Sequence, residues 1–555
     1  MTKIFLIILF FTAAIAEKTE AQNLCPPLKI PAVLAGNFGE LRSNHFHSGI
    51  VFKTQGKTGL NIYCAEDGYV SRVLVSPWGF GRAVYVTHPK CGLTTVYGHL
   101  SSFSAKIDKI VRAEQYKCES FTVDITFNEG EIPVKRGEVI ALSGNAGSSA
   151  GPHLHMDVRD TETGDALDPI PFYKSLFKDN VKPAVREIAL IPAEGGSVNG
   201  KDSKAMLAAA ETSKGFTAWG NVIPAINAYD KMTGTTNIYG VKYLTLDVDG
   251  KQVYSRTIDR FSFDATRAVN TLVDYATLQE SGKWLMWTFV PDSKPLGAMI
   301  TAENCGILNI CEERDYKCTF ALKDEFGNTA KCSFTITGKR CEIPEKTRQG
   351  LLYDYRGNNC YNIDGICVDI PAHSLYSDMD FNVTHVASDT YLSDIVTIGN
   401  KNVPLASNIK IRIPIKNDNL TDKKKYCLVR LNGKNRSAVT AEYSPAGYLE
   451  AKVNRFGKYA ITSDNTAPTV TPIRKAKWGV RGEIALKISD NLSGIDFFRG
   501  EIDGKYELFE LDGKSGKMTL KLNSKRVKKG KNHSLKVTVT DACGNSTVQN
   551  HTFKW

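Results

Sequence analysis

Short runs in which apolar residues alternate with polar or β-branched ones recur along the chain, and they constrain its fold more than any other feature. Examples are AVYVTH (83–88), YLTLDVDG (243–250), KCSFTITG (331–338), IKIRIPI (409–415) and LKVTVTD (535–541). A period of two is typical of strands with one buried face. Convincing amphipathic helices are few, and the best candidate in the first third is Ala105–Lys117. We therefore predict a mainly β protein.

The chain is too long for one hydrophobic core. At 555 residues, three to five domains are expected. A composition of 42% hydrophobic, 10% aromatic and 23% charged residues is that of a globular protein, which excludes long disorder, collagen-like repeats and coiled coils. A formal net charge of +11 over this length is a mild bias. It predicts no nucleic-acid partner.

The first sixteen residues, MTKIFLIILFFTAAIA, have the pattern of a cleaved signal peptide. Lys3 precedes an apolar run from Ile4 to Ile15, and Ala14-Ile15-Ala16 forms a small-x-small cleavage site. About a dozen apolar residues are too few to span a bilayer, which needs roughly 20. The sequence thus predicts an exported protein, whether periplasmic, envelope-associated or secreted, with no membrane span after signal cleavage. Seven of its thirteen cysteines lie between Cys305 and Cys367, which favours disulfides in such a compartment.

An internal repeat organises the rest of the chain. Residues 240–251 (GVKYLTLDVDGK) align without a gap to residues 494–505 (GIDFFRGEIDGK), and each copy has a strand that runs into an Asp-Gly turn. An Asp-bearing stretch precedes each copy, around Asp230 and Asp490, and the pattern Asp-x-x-Gly-Asn follows each, at 324–328 and 541–545. The size and spacing of the copies predict immunoglobulin-like β-sandwiches at 176–340, with an insertion, and at 467–555. A third β-rich domain is expected at 341–463, and residues 464–468 are interpreted as a linker.

Six of the ten histidines precede residue 156. In a strand, residues two apart share a face, so His153, His155 and Asp157 are expected on one side of a strand. The same rule aligns His45, His47, Gly49 and Val51 of the segment HFHSGIV. Two strands with paired histidines are a suitable framework for a zinc-bound water.

The motifs around these histidines resemble those of a known family. They occur in order as HSGIV (47–51), AEDG (65–68), Gly81 with AVYVTH, TVYGHL (95–100), VKRGEVIALSGN (134–145) and GPHLH (151–155). In this order they resemble the lysostaphin-type zinc metalloendopeptidases of bacterial cell walls, also called the β-lytic or duplicated-hybrid-motif family. The resemblance covers residues 36–170 and implies a duplicated-hybrid-motif β-sheet domain over residues 25–175.

The resemblance also implies a site and a substrate. In the family, the first histidine and the aspartate of H-x-G-x-D and the second histidine of H-x-H hold zinc, which makes His47 and His155 the metal ligands here. The two other family histidines, which assist the attacking water and the tetrahedral intermediate, correspond to His99 and His153 as catalytic residues. The implied substrate is a cross-link peptide of peptidoglycan.

The sequence departs from the family at the aspartate ligand, where it has Val51. Catalytic zinc ordinarily has three protein ligands and a water, so zinc is expected to be weakly held or absent. Asp157 is the nearest oxygen-bearing alternative, and we expect it to support a ligand rather than replace one. Three functions stay open at this point: an exported endopeptidase, a degenerate member that binds peptidoglycan or regulates another wall hydrolase, and a β-sandwich envelope scaffold.

Overall fold

The computed structural model describes residues 23–343, 350–416 and 418–555. The predicted signal peptide, residues 1–16, lies outside the described residues. The protein is mainly β, with 47% strand and 11% helix, which confirms the predicted fold class. Within the described residues, no helix combines the length and apolar character needed to cross a membrane.

The N-terminal domain is an antiparallel sheet with a smaller sheet beside it. Its strands are β1 (Leu34–Gly36), β2 (Leu41–Arg42), β3 (His45–Phe46), β4 (Ile50–Lys53), β5 (Asn61–Tyr63), β6 (Gly68–Val75), β7 (Arg82–His88), β8 (Leu93–Gly98), β9 (Ser102–Phe103), β10 (Val123–Thr126), β11 (Pro133–Val134), β12 (Val139–Leu142), β13 (His153–Asp160) and β14 (Ala166–Leu167). The main sheet has the order β1-β4-β13-β8-β7-β6-β10, and the smaller one has the order β5-β12-β9. Strand β13 therefore lies inside the sheet, between β4 and β8.

Helices are few in this domain, as the sequence predicts. Helix α1 covers Ala105–Lys117, the predicted segment, and buries Ile107 and Val111 one turn apart. Helix α2 (Ile170–Tyr173) and a 3₁₀ helix (Lys174–Leu176) end the domain.

The second unit packs on the N-terminal domain through a shared core. Its strands are β15 (Ala184–Val198), β16 (Ala205–Ala208), β17 (Phe216–Tyr229), β18 (Tyr243–Val248), β19 (Lys251–Thr257), β20 (Arg260–Phe261), β21 (Met286–Trp287), β22 (Ile300–Ala302), β23 (Leu308–Ile310), β24 (Asp315–Lys323) and β25 (Thr329–Gly338). It also contains helix α3 (Tyr275–Ser281) and 3₁₀ helices at Ala209–Lys214, Phe263–Thr271 and Glu303–Gly306. Strand β20 pairs with β14 of the N-terminal domain, and the ring of Phe261 lies 5.0 Å from those of Phe38 and Phe46.

The third unit has its own core between two five-stranded sheets. Its strands are β26 (Leu351–Tyr353), β27 (Asn359–Ile363), β28 (Ile366–Ile370), β29 (Met379–Phe381), β30 (Val383–Val386), β31 (Ile395–Ile398), β32 (Ile409–Pro414), β33 (Tyr426–Asn432), β34 (Asn435–Val439), β35 (Ala441–Ser444), β36 (Tyr448–Val453) and β37 (Gly457–Ser463). The sheet orders are β27-β28-β32-β36-β35 and β30-β31-β37-β33-β34, and a 3₁₀ helix at Lys423–Lys425 precedes β33.

The last unit consists of two four-stranded sheets around a core that contains the buried Trp478. Its strands are β38 (Thr469–Pro472), β39 (Glu483–Ser489), β40 (Ile495–Ile502), β41 (Lys505–Glu507), β42 (Glu510–Asp512), β43 (Lys517–Lys521), β44 (Asn532–Asp541) and β45 (Ser546–Lys554). Its helices are α4 (Trp478–Arg481) and a 3₁₀ helix at Lys475–Lys477. The immunoglobulin-like assignment of this unit and of the second stays a prediction.

The repeated segment forms the same hairpin in both copies. Strand β18 turns into β19, and β40 turns into β41, through Asp-Gly pairs in which both residues have positive φ. The values are 51° and 82° at Asp249 and Gly250, and 51° and 76° at Asp503 and Gly504. Two successive positive φ angles are the mark of the tight turn that Asp-Gly favours, as the sequence predicts.

All thirteen cysteines are free thiols in the structure, contrary to the disulfides expected between Cys305 and Cys367. Cys360 and Cys367 are free although their sulfurs lie within 4.8 Å of each other, and nothing in the structure explains this pair. For Cys318 and Cys332, the register of the strands gives a reason. Cys318 of β24 is opposite Phe334, and Cys332 of β25 is opposite Phe320, so the two sulfurs are on a diagonal. Diagonal pairs have Cα atoms roughly 7–8 Å apart, beyond the usual reach of a disulfide.

Candidate functional site

Strand β13 brings the four predicted histidines into one cluster, which we name the histidine groove. His153 and His155 share a face of this strand, as predicted, and the Cα partner of His155 on β8 is Gly98. His99 follows directly after β8, with a positive φ of 59° that turns it toward the groove. His47 precedes β4 and is buried, as are His99 and His155.

The four rings form a series of neighbours, from His47 through His155 and His99 to His153. Nε2 of His47 lies 3.2 Å from Nδ1 of His155. The ring centroids of His99 and His153 are 4.7 Å apart, and those of His99 and His155 are 6.0 Å apart. The structure thus assembles the predicted ligand pair beside the predicted catalytic pair.

His45 is not part of this group, although the sequence pattern aligned it with His47. Its side chain is exposed, and its Nδ1 lies 3.0 Å from the carbonyl of Ser43. The expected continuous strand is interrupted, because β3 ends at Phe46 and β4 begins only at Ile50. Alternation therefore does not run from His45 to Val51.

Backbone carbonyls orient three of the four imidazoles. The Nδ1 atoms of His47, His99 and His153 lie 2.6, 2.8 and 2.8 Å from the carbonyl oxygens of Asn37, Ala146 and Gly151. A carbonyl only accepts, so each Nδ1–H donates and each Nε2 keeps its lone pair.

Burial keeps these rings neutral. It lowers the pKa of His47 well below its usual value, with the neighbouring His155 acting in the same direction. Burial, followed by His155 and His153, lowers the pKa of His99 to about 3. Burial also lowers the pKa of His153. A neutral imidazole is the form that accepts a proton or binds a metal.

Asp157 holds His155 from behind. Its Oδ1 lies 2.5 Å from Nε2 of His155 and accepts a hydrogen bond of 3.0 Å from the Ser48 hydroxyl, while Oδ2 accepts one of 2.6 Å from Arg159. Burial opposes ionisation of this carboxyl group, but the hydrogen bonds and electrostatic interactions with His155 and Arg159 outweigh it and lower its pKa to about 2. Both oxygens are engaged, so Asp157 orients His155 and leaves the third ligand position unfilled.

His47 and His155 are suitable ligands for a zinc ion, but the third ligand position, at Val51, is not. With His155 donating through Nε2, its Nδ1 and the Nε2 of His47 face each other as two acceptors. Two nitrogens bound to one tetrahedral zinc are roughly 3.3 Å apart, which matches their spacing. Val51 is 7% exposed and pairs with His155 across the strands, so an isopropyl group stands where a carboxylate is needed. Among the described residues, the groups of three or more metal-type ligands lie elsewhere, and the site does not fit a three-ligand zinc.

Phe80 and the loop 144–149 complete the groove, and sequence reasoning missed both. The ring of Phe80 lies 4.8 Å from that of His155. The loop supplies the Ala146 carbonyl to His99, and its Ser149 hydroxyl lies 3.1 Å from Nδ1 of His153. Gly81 and Gly147 pack so closely that a Cβ on either would meet backbone of the other segment at 2.5 Å or less. The glycines were the only signal in the sequence for this contact.

A turn of the last unit also reaches this loop. Nζ of Lys514 donates to the carbonyls of Asn145 and Ser149, the latter at 3.0 Å. An ion pair of 2.7 Å between Arg82 and Glu510 and one of 2.6 Å between Arg499 and Glu119 support the contact. The N-terminal domain therefore carries a segment of the last unit at the edge of its groove.

Comparisons with known proteins give one family model and several relatives. Residues 351–464 match the model of the Zu5-like domain. A protein of Haemophilus influenzae named "Uncharacterized metalloprotease" is 34% identical over 124 residues, which is 22% of this chain and 20% of that protein. The "DD-carboxypeptidase/endopeptidase Mpg" of Neisseria meningitidis is 28% identical over 130 residues, which is 23% of each.

Solved structures of the same kind are similar to the chain. The catalytic domain of the M23 protein EnpA from Enterococcus faecalis is 25% identical, with a TM-score of 0.20, over 26% of this chain and 94% of that one. The catalytic domain of lysostaphin from Staphylococcus simulans is 21% identical, with a TM-score of 0.20, over 26% of this chain and 92% of that one. The chain spans about a fifth of the length of the curated relatives. In its N-terminal domain, as the histidine motifs predict, it resembles the lysostaphin-type metallopeptidases.

Proposed function

We propose that this protein is exported and acts at the bacterial cell wall, where its N-terminal domain binds peptidoglycan peptides in the histidine groove without cutting them. Two relatives support a substrate of this class. The Neisseria meningitidis protein is named a DD-carboxypeptidase/endopeptidase, and the Haemophilus influenzae protein is named a metalloprotease. The signal-like residues 1–16 support export.

The observation that carries the non-catalytic assignment is the position of Val51. It occupies the buried place next to His155 where the family has a carboxylate. Asp157 is committed to His155, Ser48 and Arg159 and does not replace that carboxylate. A site with two neutral histidines and no anion holds zinc weakly, because metal affinity depends on ligand number and charge.

The remaining groups suit peptide recognition. Nε2 of His99 and of His153 keep their lone pairs, so each can accept a hydrogen bond from a peptide N–H. The ammonium group of Lys514, which donates to the carbonyls of Asn145 and Ser149, places positive charge beside the loop that contacts His153. Positive charge there favours a peptide carboxylate.

Sedimentation with purified peptidoglycan tests this function, with wall digestion monitored in parallel. We expect the wild type to co-sediment with the wall and release no peptide, and His99→Ala with His153→Ala to lose most of the binding. His45→Ala is the matched control, because His45 is exposed and outside the groove. Binding that is unchanged in the double variant contradicts the groove as the binding site.

The 3.2 Å spacing between His47 and His155 favours a second candidate, an active endopeptidase. Hydrolysis of wall peptides by the wild type that a chelator abolishes would establish it and exclude the non-catalytic function. If this protein instead binds a wall hydrolase of the same cell, adding it to an assay of that hydrolase should stimulate or inhibit wall digestion.

A further inference from the structure

Each of the two repeated units contains a cluster of three aspartates drawn from three corresponding segments. The segments are Asp-Asn-x-x-Pro (179–183 and 464–468), Asp-x-x-Thr/Ser-Gly (230–234 and 490–494) and Asp-x-x-Gly-Asn (324–328 and 541–545). In both units, one carboxylate oxygen of each aspartate lies within 4.8 Å of those of the other two. The first segment was missed by sequence reasoning, because residues 464–468 were interpreted as a linker.

The two clusters are the same construction. In the first, the Asn328 amide donates to Asp324 at 2.7 Å and to the Asp179 carbonyl at 3.2 Å. In the second, the Asn545 amide donates to Asp541 at 2.7 Å and to the Asp464 carbonyl at 3.0 Å.

A further backbone bond is duplicated as well. The amide of Thr233 donates to Asp179 at 2.9 Å, and that of Ser493 donates to Asp464 at 3.0 Å. The repeat thus reproduces the hydrogen bonds of two of the three aspartates, and in both clusters the third carboxylate lies within 4.8 Å of them.

An unpartnered carboxylate oxygen points to a missing ligand. Asp230 is only 8% exposed, and its Oδ1 is buried without a hydrogen-bond partner. Asp230 lines a cavity of about 30 Å³ together with Asp179 and Asp324, which is room for one ion or water. In the second cluster, Oδ1 of Asp490 is likewise buried without a partner. Native proteins rarely leave a buried carboxylate oxygen unsatisfied.

The clusters also lack a counter-charge. Among the described residues, no Lys, Arg or His forms an ion pair with any of the six aspartates, and Lys242, which lines the first cavity, is paired with Asp168 at 2.6 Å and with Glu325 at 2.5 Å. Burial raises the pKa of Asp230 to about 8, and the charges of Asp324 and Asp179 add to it.

We propose that each cluster binds one calcium ion. The donors are all oxygens, with no histidine or cysteine among them, which selects hard cations over zinc. Carboxylates and backbone carbonyls on loops suit the flexible coordination of Ca²⁺ better than the rigid octahedron of Mg²⁺. The proposal does not depend on the function of the histidine groove.

Both sites lie where one unit meets the one before it. The first cavity is also lined by Asn37, Phe38 and Asp168 of the N-terminal domain. At the second, the amide of Asp464 donates to the Lys425 carbonyl at 2.9 Å, and Nζ of Lys425 donates to the Cys543 carbonyl at 3.2 Å. A bound ion at each junction would fix the orientation of the two flanking units.

Calcium titration calorimetry of the full-length, chelator-treated protein tests this inference. We expect two ions per chain, with dissociation constants on the order of 10⁻⁶ to 10⁻³ M, and a higher melting temperature in Ca²⁺ than in an equal concentration of Mg²⁺. Asp230→Asn and Asp490→Asn should each leave one ion, and the double variant none. The exposed Asp496, beside the second cluster, provides the control Asp496→Asn, which should still bind two.

The wild-type titration decides the question even if a variant fails to fold. No heat and no shift in melting temperature up to about 10 mM Ca²⁺ would overturn the proposal, as would two ions retained in the double variant. Equal binding of Mg²⁺ would overturn the choice of calcium. Asp324→Asn and Asp541→Asn serve as second variants at the same two sites.

Discussion

Val51 and His155 are direct partners across the antiparallel strands β4 and β13, so their side chains leave the same face of the sheet. This relationship, and not alternation along a strand from His47, places position 51 beside the pair of facing histidine nitrogens. A carboxylate at position 51 would therefore point to the place where a metal held by His47 and His155 would lie.

Val51→Asp should create a zinc site. We expect zinc affinity to rise more than about 100-fold, because a lost supporting group alone costs roughly 10 to 100-fold and a ligand counts for more. Without metal, the buried, unpaired carboxylate should destabilise the variant by roughly 1–3 kcal/mol, and zinc should restore the melting temperature. Zinc titration and thermal unfolding measure both effects.

Wall hydrolysis provides a second measurement on the same variant. Val51→Asp should release wall peptides, and Val51→Asp with His155→Ala should return to background, since one ligand is again missing. A variant that binds zinc and stays inert would show that the groove has diverged for binding alone.

The wild type should carry clearly less than one zinc per chain at the histidine site. Two neutral histidines remain of a three-ligand set, and neither oxygen of Asp157 is available. Elemental analysis of protein prepared without chelator measures the content. One tightly held zinc that disappears in His155→Ala would contradict this prediction and identify a substitute ligand.

Asp157→Asn in the Val51→Asp background should lower zinc affinity by about 10 to 100-fold. The amide keeps the shape of the side chain but removes the negative charge that holds Nε2 of His155. Zinc titration checks the change. Equal zinc affinity of the Val51→Asp variant with and without Asp157→Asn would show that β13 alone orients His155.

A fragment ending near residue 175 should fold on its own, because β1 to β14 include every strand of the main sheet except the two-residue edge strand β20. It should be less stable than the same domain in the full chain, since it lacks Phe261, whose ring contacts Phe38 and Phe46. Dispersed NMR signals would verify folding, and a soluble fragment without them would contradict it. In the full chain, Phe261→Ala should cost about 3–5 kcal/mol of unfolding free energy.

Lys514→Ala should loosen the loop 144–149. Removal of the ammonium group deletes the donor to two of its carbonyls, so the amides of this loop should exchange hydrogen faster. Exchange mass spectrometry measures the rate, with the exposed Lys525→Ala as control. Unchanged protection in the loop would show that the turn of the last unit contributes nothing to its stability.

Much of the site could be predicted because its signals are local. The spacing of His153 and His155, the motif around His99 and the substitution at Val51 are visible within a few residues, as is helix α1. The partners that come from distant segments could not be predicted in this way: Phe80, the Ala146 carbonyl and Lys514 reach the groove only through tertiary contacts. Asp179 and Asp464 were missed for a related reason, since a loop aspartate beside a proline has the composition of a linker until its buried partners are known.

The hydrogen bond between Lys514 and Ser149 joins residues 365 positions apart in the chain. Because the Ser149 hydroxyl also contacts His153, a ligand that shifted the loop would change the contact with the last unit. Thermodynamic linkage would make this relation reciprocal. A partner that pulled the last unit away would change the affinity of the groove for its ligand by some factor, and the ligand would change the affinity for that partner by the same factor. A ligand of the histidine groove and a partner of the last unit would therefore be coupled through the loop 144–149.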